Sequence, residues 1–101
     1  MYYTYVLISA VKDVIYVGYT ADLKQRLFEH NNSIDNNFTK KYRPWKLLYY
    51  EAYLSKKDAQ NRERKLKYRG RAKALLKQRL SHSYHEIRKV LGDVTIGIRG
   101  C

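Results

Sequence analysis

The sequence has little cysteine and no long apolar runs. Its one cysteine, Cys101, is the last of 101 residues, which excludes an intramolecular disulfide and a cysteine-based zinc site. No apolar run approaches the roughly 20 residues that a membrane-spanning helix needs. The first ten residues, MYYTYVLISA, contain neither a basic segment nor a small-residue cleavage site. We therefore expect no signal peptide, no membrane association and a reducing, cytoplasmic setting.

Acidic residues are also scarce. There are 9 Asp and Glu against 21 Lys and Arg, which leaves a formal net charge of +12. A domain this basic most often binds a polyanion, and nucleic acid is the commonest one. Charge alone leaves open a solubilising role, an anionic membrane surface or an RNA-associated accessory protein.

What the chain does have is enough apolar and aromatic material for one packed domain. Hydrophobic residues make up 45% of it and aromatic residues 14%, which argues against disorder. We predict a single domain over residues 1–91 and a C-terminal tail of unknown structure over 92–101. The tail alternates apolar and polar residues, which fits a strand, a docked segment or a frayed end.

Apolar alternation predicts three strands, over residues 2–9, 14–18 and 45–53. Lys12 and Asp13 form the predicted hairpin turn, and Gly18 is predicted to end the second strand because another group comes close there. On the first strand, Tyr3, Tyr5 and Leu7 share one face. The polar, Asn-rich residues 31–43 are predicted to be a loop.

Helical spacing predicts four helices. The first is capped by Thr20 and runs to about His30. The second starts at the capping-box pattern of Ser55 and runs to about Tyr68, with Gly70 as its C-cap. The third covers 72–80 with Leu75, Leu76 and Leu80 inward, and the fourth covers 81–91. The order β-β-α-β-α-α-α predicts an α+β domain with a small three-stranded sheet flanked by helices.

Five side chains suggest chemistry. Tyr5 and Tyr16 lie on adjacent strands, Arg26 and His30 lie on one face of the first helix, and Glu63 lies on the inward face of the second. Phosphodiester hydrolysis needs a base for water, a carboxylate for a divalent metal and a cation for the phosphate. Taken singly, each side chain has a simpler explanation, such as a half-buried strand tyrosine or a glutamate paired with a neighbouring base. Their combination makes the catalytic interpretation competitive.

The same residues carry a family resemblance over about residues 2–68. The segments YTYVL, VIYVGYTADLKQRLFEHN, PWKLLYYEAY and AQNRERKLK resemble the GIY-YIG nuclease superfamily, in particular its small, stand-alone, single-domain members of bacterial type. The first signature corresponds to Tyr3-Thr4-Tyr5, which keeps only the final tyrosine. The second is Tyr16-Val17-Gly18.

The resemblance implies an antiparallel sheet and a metal-dependent endonuclease that hydrolyses DNA phosphodiester bonds. It implies one divalent ion, Mg²⁺ or Mn²⁺, and no other small-molecule cofactor. Tyr5 and Tyr16 would be the paired catalytic tyrosines, Arg26 the phosphate-binding cation, His30 the group that orients or assists the base, and Glu63 the metal ligand. Which tyrosine takes the proton stays open, with Tyr5 preferred. The alternative is a non-catalytic nucleic-acid-binding module that retains the nuclease fold.

DNA is the expected partner, and the basic side chains outside this set are candidate phosphate contacts. Phosphate contacts carry no base information, so we expect low sequence specificity or selectivity for DNA structure. The predicted DNA-binding residues are Arg43, Lys56, Lys57, Arg64, Lys65, Lys67, Arg69 and Arg71. The oligomeric state is not predicted.

Overall fold

A three-stranded antiparallel sheet organises the fold. The computed structural model describes residues 1–32 and 37–91. Strands β1 (Tyr2–Ser9), β2 (Ile15–Thr20) and β3 (Trp45–Tyr53) are ordered β2-β1-β3, so β1 is central. β-Branched and aromatic residues dominate all three strands, as a pleated, half-buried surface favours. The predicted α+β architecture is confirmed, with one short additional helix between the first predicted helix and β3.

The strand register places the signature residues side by side. Tyr5 lies opposite Gly18, and Leu7 lies opposite Tyr16. β2 continues through Gly18 to Thr20, so the prediction that Gly18 ends the strand is wrong. The predicted close approach at Gly18 is confirmed, because an added Cβ would lie 2.5 Å from the Tyr5 hydroxyl oxygen and 2.7 Å from its Cζ. Only a glycine leaves room for the Tyr5 ring at this position.

Both faces of the sheet are covered. One face buries Tyr5, Leu7 and Trp45 beneath the first helix, and the other buries Val6 and Val17 beneath the later helices. Alternation along β1 therefore divides the core into two layers. No helix among the described residues is long and apolar enough to cross a membrane.

Helix α1 (Leu23–Asn32) begins at a different cap from the predicted one. The Asp22 carboxylate accepts a hydrogen bond from the Gln25 amide at 3.1 Å, which is the geometry of a helix N-cap. Thr20 instead accepts from the Asp22 amide, also at 3.1 Å, and so forms the turn before the cap. The helix extends two residues beyond the predicted end at His30.

The segment predicted as a loop over 31–43 is partly helical. Residues 31 and 32 finish α1, and a five-residue helix, α2 (Asn37–Lys41), follows. The Trp45 indole N–H donates to the Thr39 carbonyl at 2.8 Å, which fastens α2 to the start of β3. The polar composition indicated a loop, because the contact that holds this helix comes from Trp45, which lies outside the helix.

Three helices complete the domain: α3 (Lys56–Tyr68), α4 (Gly70–Arg79) and α5 (Ser81–Leu91). Ser55 is the N-cap of α3 but makes no side-chain capping bond, so the predicted capping box is wrong. Gly70 begins α4, and Arg69 is the C-cap of α3. Leu76 and Leu80 are buried as predicted, whereas Leu75 is 55% exposed.

Helix α5 docks on the β1–β2 turn through a buried arginine. Arg88 is 7% exposed, and its guanidinium donates to the Ser9 and Lys12 carbonyls and to the Asp13 carboxylate at 3.0 Å. Tyr84 donates to the same carboxylate, and its ring lies 5.2 Å below the Arg88 guanidinium carbon. Residues 92–101, predicted as a tail, lie outside the described residues.

Candidate active site

Tyr5 and Tyr16 lie next to each other on one face of the sheet. Their ring centroids are 6.3 Å apart and the ring planes differ by 27°. Tyr5 is 1% exposed, whereas Tyr16 is half-buried at the edge strand. The two phenols therefore differ in their access to water.

Burial keeps Tyr5 protonated. Desolvation raises the pKa of its phenol well above the ordinary value, and a hydrogen bond from Arg26 opposes this only in part. The Tyr5 hydroxyl lies 2.8 Å from Nε2 of His30. Tyr5 thus joins the His30 side chain of α1 to the sheet.

His30 is held neutral at the centre of this group. It is 3% exposed, and burial lowers the pKa of its imidazole to about 4, helped by the positive charges of Arg26 and Arg43. Its ring centroid is 4.5 Å from that of Tyr16, closer than the 5.9 Å to Tyr5. A neutral imidazole therefore contacts both tyrosines.

Arg26 presents a cation at the edge of the site. It lies one helical turn before His30, so both side chains point to the same side of α1. One guanidinium nitrogen is 3.0 Å from the Glu29 carboxylate, and the side chain is 40% exposed. A guanidinium that pairs with Glu29 and still meets solvent can hydrogen-bond an anion.

Glu63 reaches the site from α3 and pairs with Lys67. Its carboxylate is 3.0 Å from the Lys67 ammonium, and its side chain is 17% exposed. The Lys67 ammonium is also 5.7 Å from the centre of the Tyr16 ring. The Glu63 charge acts on Tyr5 as well, raising the pKa of that phenol, although less than burial does. Glu63 and Lys67 therefore adjoin the tyrosines on the opposite side from α1.

The donors at this site suit a hard divalent cation. Among the described residues there is no cluster of three or more His, Cys, Asp or Glu side chains that would chelate a metal by itself. Mg²⁺ does not require one, because it keeps several waters and binds through one or two carboxylates together with substrate phosphate. The mostly buried Glu63 carboxylate could provide one such ligand.

Asn31 and Arg43 hold the site in place, although neither was predicted to belong to it. The Asn31 side chain accepts from the Trp45 amide at 2.6 Å and donates to the Trp45 carbonyl at 3.2 Å, which ties the end of α1 to β3. Arg43, predicted to contact DNA, donates to the His30 carbonyl at 2.8 Å and so braces the same helix end. The only sequence signals were their positions. Asn31 directly follows His30, and Arg43 directly precedes the Pro-Trp pair.

The other predicted DNA-binding side chains lie on α3 and α4. All seven are exposed. The start of α3 carries Lys56 and Lys57, the rest of α3 carries Arg64, Lys65 and Lys67, and the α3–α4 junction carries Arg69 and Arg71. Arg62 differs, because its guanidinium binds the Glu51 carboxylate of β3 at 3.0 Å and attaches α3 to the sheet. The exposed cations thus follow α3 from its first turn to the α3–α4 junction, and Lys67 is the one that pairs with Glu63.

His30 makes a testable contribution to stability. In the unfolded chain the His30 imidazole binds a proton below its ordinary pKa of 6.5, whereas in the folded chain it binds one only near pH 4. The free energy of unfolding is therefore highest above pH 6.5 and decreases as the pH falls towards 4. The loss is at most about 3 kcal/mol. Urea unfolding at several pH values should show His30→Gln with a flatter profile than the parent, whereas His82→Gln, on an exposed α5 position, should keep the parent slope. Identical slopes for all three proteins would contradict a buried neutral imidazole.

Comparison with known proteins supports the resemblance. The GIY-YIG catalytic domain family matches residues 1–78, ten residues beyond the predicted extent and through most of α4. A UPF0213 protein encoded in the ldhD 5′ region of Pediococcus acidilactici is 41% identical over 78 residues, covering 66% of this chain and 79% of its own.

Two further UPF0213 proteins are similar to this chain. One from Staphylococcus saprophyticus is 38% identical, covering 70% of this chain and 88% of its own, and one from Streptococcus pyogenes serotype M3 is 43% identical, covering 66% and 72%. No solved structure gives a significant match. The family match, which spans the paired tyrosines, α1 and Glu63, shows that the chain belongs to the GIY-YIG family.

Proposed function

We propose that the protein is a divalent-metal-dependent endonuclease that hydrolyses DNA phosphodiester bonds within the cytoplasm. The observation that carries this proposal is the contact of His30 with both tyrosines, while the charges of Arg26 and Glu63 both act on Tyr5. These groups come from two strands and two helices, and together they supply the base, the phosphate ligand and the metal ligand that such a reaction needs.

Tyr16 is the better placed of the two tyrosines to accept a proton from water. It is half-buried on the edge strand, whereas Tyr5 is 1% exposed and sealed beneath α1. Negative charge that develops on Tyr16 is stabilised by the Lys67 ammonium beside the ring and by the Arg26 guanidinium. Tyr5 acts as a positioning residue that holds His30 by a hydrogen bond and lies within the electrostatic field of Arg26. This reverses the sequence-based preference for Tyr5.

Arg26 binds the phosphate in this proposal. Its planar fork matches two phosphate oxygens, and its attachment to Tyr5 and Glu29 restricts its movement before the substrate arrives. Glu63 would hold the divalent ion, which when bound would supply positive charge to the phosphate. Water adds across the P–O bond, leaving one phosphate end and one hydroxyl end.

The alternative function is a nucleic-acid-binding module without turnover. It is favoured by the +12 charge, which by itself explains binding. It does not explain why a neutral histidine, a buried tyrosine and a carboxylate surround the half-buried Tyr16.

Cleavage and binding assays separate the two functions. Among nicked, branched, single-stranded and duplex DNA, we expect at least one substrate to be cut with Mg²⁺ or Mn²⁺, and none with a chelator. Binding to random duplex should weaken steeply with salt, by about tenfold or more between 50 and 200 mM, because phosphate contacts release counterions. Metal-independent binding without cleavage of any substrate would leave only the non-catalytic module.

A further inference from the structure

The outer side of α3 carries an open groove that the proposed catalytic residues do not use. It is lined by Asn61, Arg64, Lys65, Tyr68 and Arg69, which we call the α3 groove. The spacing of these residues, three or four apart, puts them on the face of α3 opposite to the buried Ala59 and Leu66. The groove therefore opens to solvent.

The α3 groove is positively charged. Over residues 1–32 and 37–91, none of its three basic side chains forms an ion pair with a carboxylate. A groove with three uncompensated cations is complementary to a polyanion, and phosphates spaced along a strand are the polyanion that fits a helix-length groove.

An exposed aromatic ring lies among these cations. Tyr68 is 77% exposed, compared with 50% for Tyr50, the other strongly exposed tyrosine among the described residues. Positively charged grooves interrupted by aromatic rings bind single strands, because the cations follow the backbone while bases stack on the rings. Duplex DNA keeps its bases stacked on one another and offers none to such a ring.

The α3 groove adjoins the candidate active site through Lys67. This lysine pairs with Glu63 at 3.0 Å, and its ammonium interacts electrostatically with both Tyr16 and Tyr68. The rise of an α-helix puts Tyr68 about 7.5 Å along the axis from Glu63. Because successive helical residues are rotated by about 100°, Glu63 lies on the other side of α3 from the groove, and the exposed Lys67 lies between them.

We propose that the α3 groove binds an unpaired nucleotide of single-stranded DNA, with the base stacked on Tyr68 and the adjacent phosphates on Arg64, Lys65 and Arg69. The inference rests on the proposed function and deepens it by naming the substrate class, which is DNA that contains an unpaired segment. The α3 groove is then the part of the protein that produces the predicted selectivity for DNA structure.

The test measures binding in chelator, so that no DNA is cut. With a single-stranded oligonucleotide of about 12 nucleotides, Tyr68→Ala should weaken binding about 5- to 100-fold, whereas Tyr68→Phe, which retains the ring, should stay close to the parent. Binding of the matching duplex should change little. Tyr50→Ala is the matched control, because Tyr50 is 50% exposed on β3 and lies outside the groove.

Two further measurements make the result specific. Tyr68→Ala should leave the salt dependence of single-strand binding unchanged, whereas Arg64→Gln should lower its slope by about 0.7. Replacing one base of the oligonucleotide with an abasic unit should remove part of the Tyr68→Ala effect.

Equal losses on single strand and duplex, or no loss on either, would overturn the proposal. A protein that shows the Tyr68 effect yet cuts no DNA would uphold the groove and reject the endonuclease. A protein that cuts DNA but shows no Tyr68 effect would uphold the endonuclease and reject the groove.

Discussion

Replacing Glu63 with glutamine is expected to reduce metal-dependent cleavage by roughly 100-fold or more while leaving the fold and DNA binding intact. The amide matches the carboxylate in size, so the packing of α3 should survive. It has no negative charge, and a hard cation such as Mg²⁺ then loses its protein ligand. Cleavage measured as nicking of supercoiled DNA, together with the melting temperature, tests the expectation.

A purely structural role for Glu63 predicts the opposite results. The only ion pair that the described residues show for this carboxylate is with Lys67, whose side chain is 36% exposed. Such partly exposed pairs contribute about 1 kcal/mol or less, which lowers the melting temperature of a domain this size by only a few degrees. Glu86→Gln, on an exposed α5 position, is the control and should match the parent in both assays. Full nicking by Glu63→Gln would reject the metal role.

The second large effect separates the two tyrosines. Tyr16→Phe should lower kcat by about 10²- to 10⁴-fold, the usual contribution of a general base, with little change in melting temperature or DNA affinity. Tyr5→Phe should instead lower stability by about 1–3 kcal/mol, because it leaves the buried Nε2 of His30 without its partner. Its activity should fall less than that of Tyr16→Phe, and the pH profile of the remaining activity should keep its shape.

Tyr19→Phe provides the matched control. Tyr19 lies on β2 with its side chain on the other face of the sheet, and its hydroxyl accepts a hydrogen bond from Gln60 at 2.8 Å. This variant loses one phenol from the same strand and should keep nearly full activity. If Tyr5→Phe were inactive at full stability while Tyr16→Phe still cut DNA, the proton would be assigned to Tyr5.

Local patterns predicted most elements because the information lies within a few residues. Alternation along β1 identifies its two faces, and the β1–β2 hairpin brings Tyr5 and Tyr16 together, since antiparallel neighbours must share a face. The four-residue spacing of Arg26 and His30 places them on one side of α1. The family signatures add Glu63, which no local pattern joins to the hairpin.

Errors arose where a distant contact outweighs a local preference. Gly70 is a good C-cap in isolation, yet it begins α4 as that helix turns back onto the sheet. Leu75 fits an apolar stripe, yet α4 is rotated so that Leu76 and Leu80 fill the core and Leu75 faces solvent. The docking of α5 through Arg88 and Asp13 spans 75 residues and has no signal in either segment.

The sequence by itself determined the sheet, the order of the main helices and the set of side chains from which a nuclease site would be built. Only the tertiary structure decided how those side chains divide their roles. It sealed Tyr5 beneath α1, left Tyr16 half-exposed and made His30 neutral. The physical reason is that burial and charge depend on which elements pack around a group, and these neighbours come from residues up to about sixty positions away.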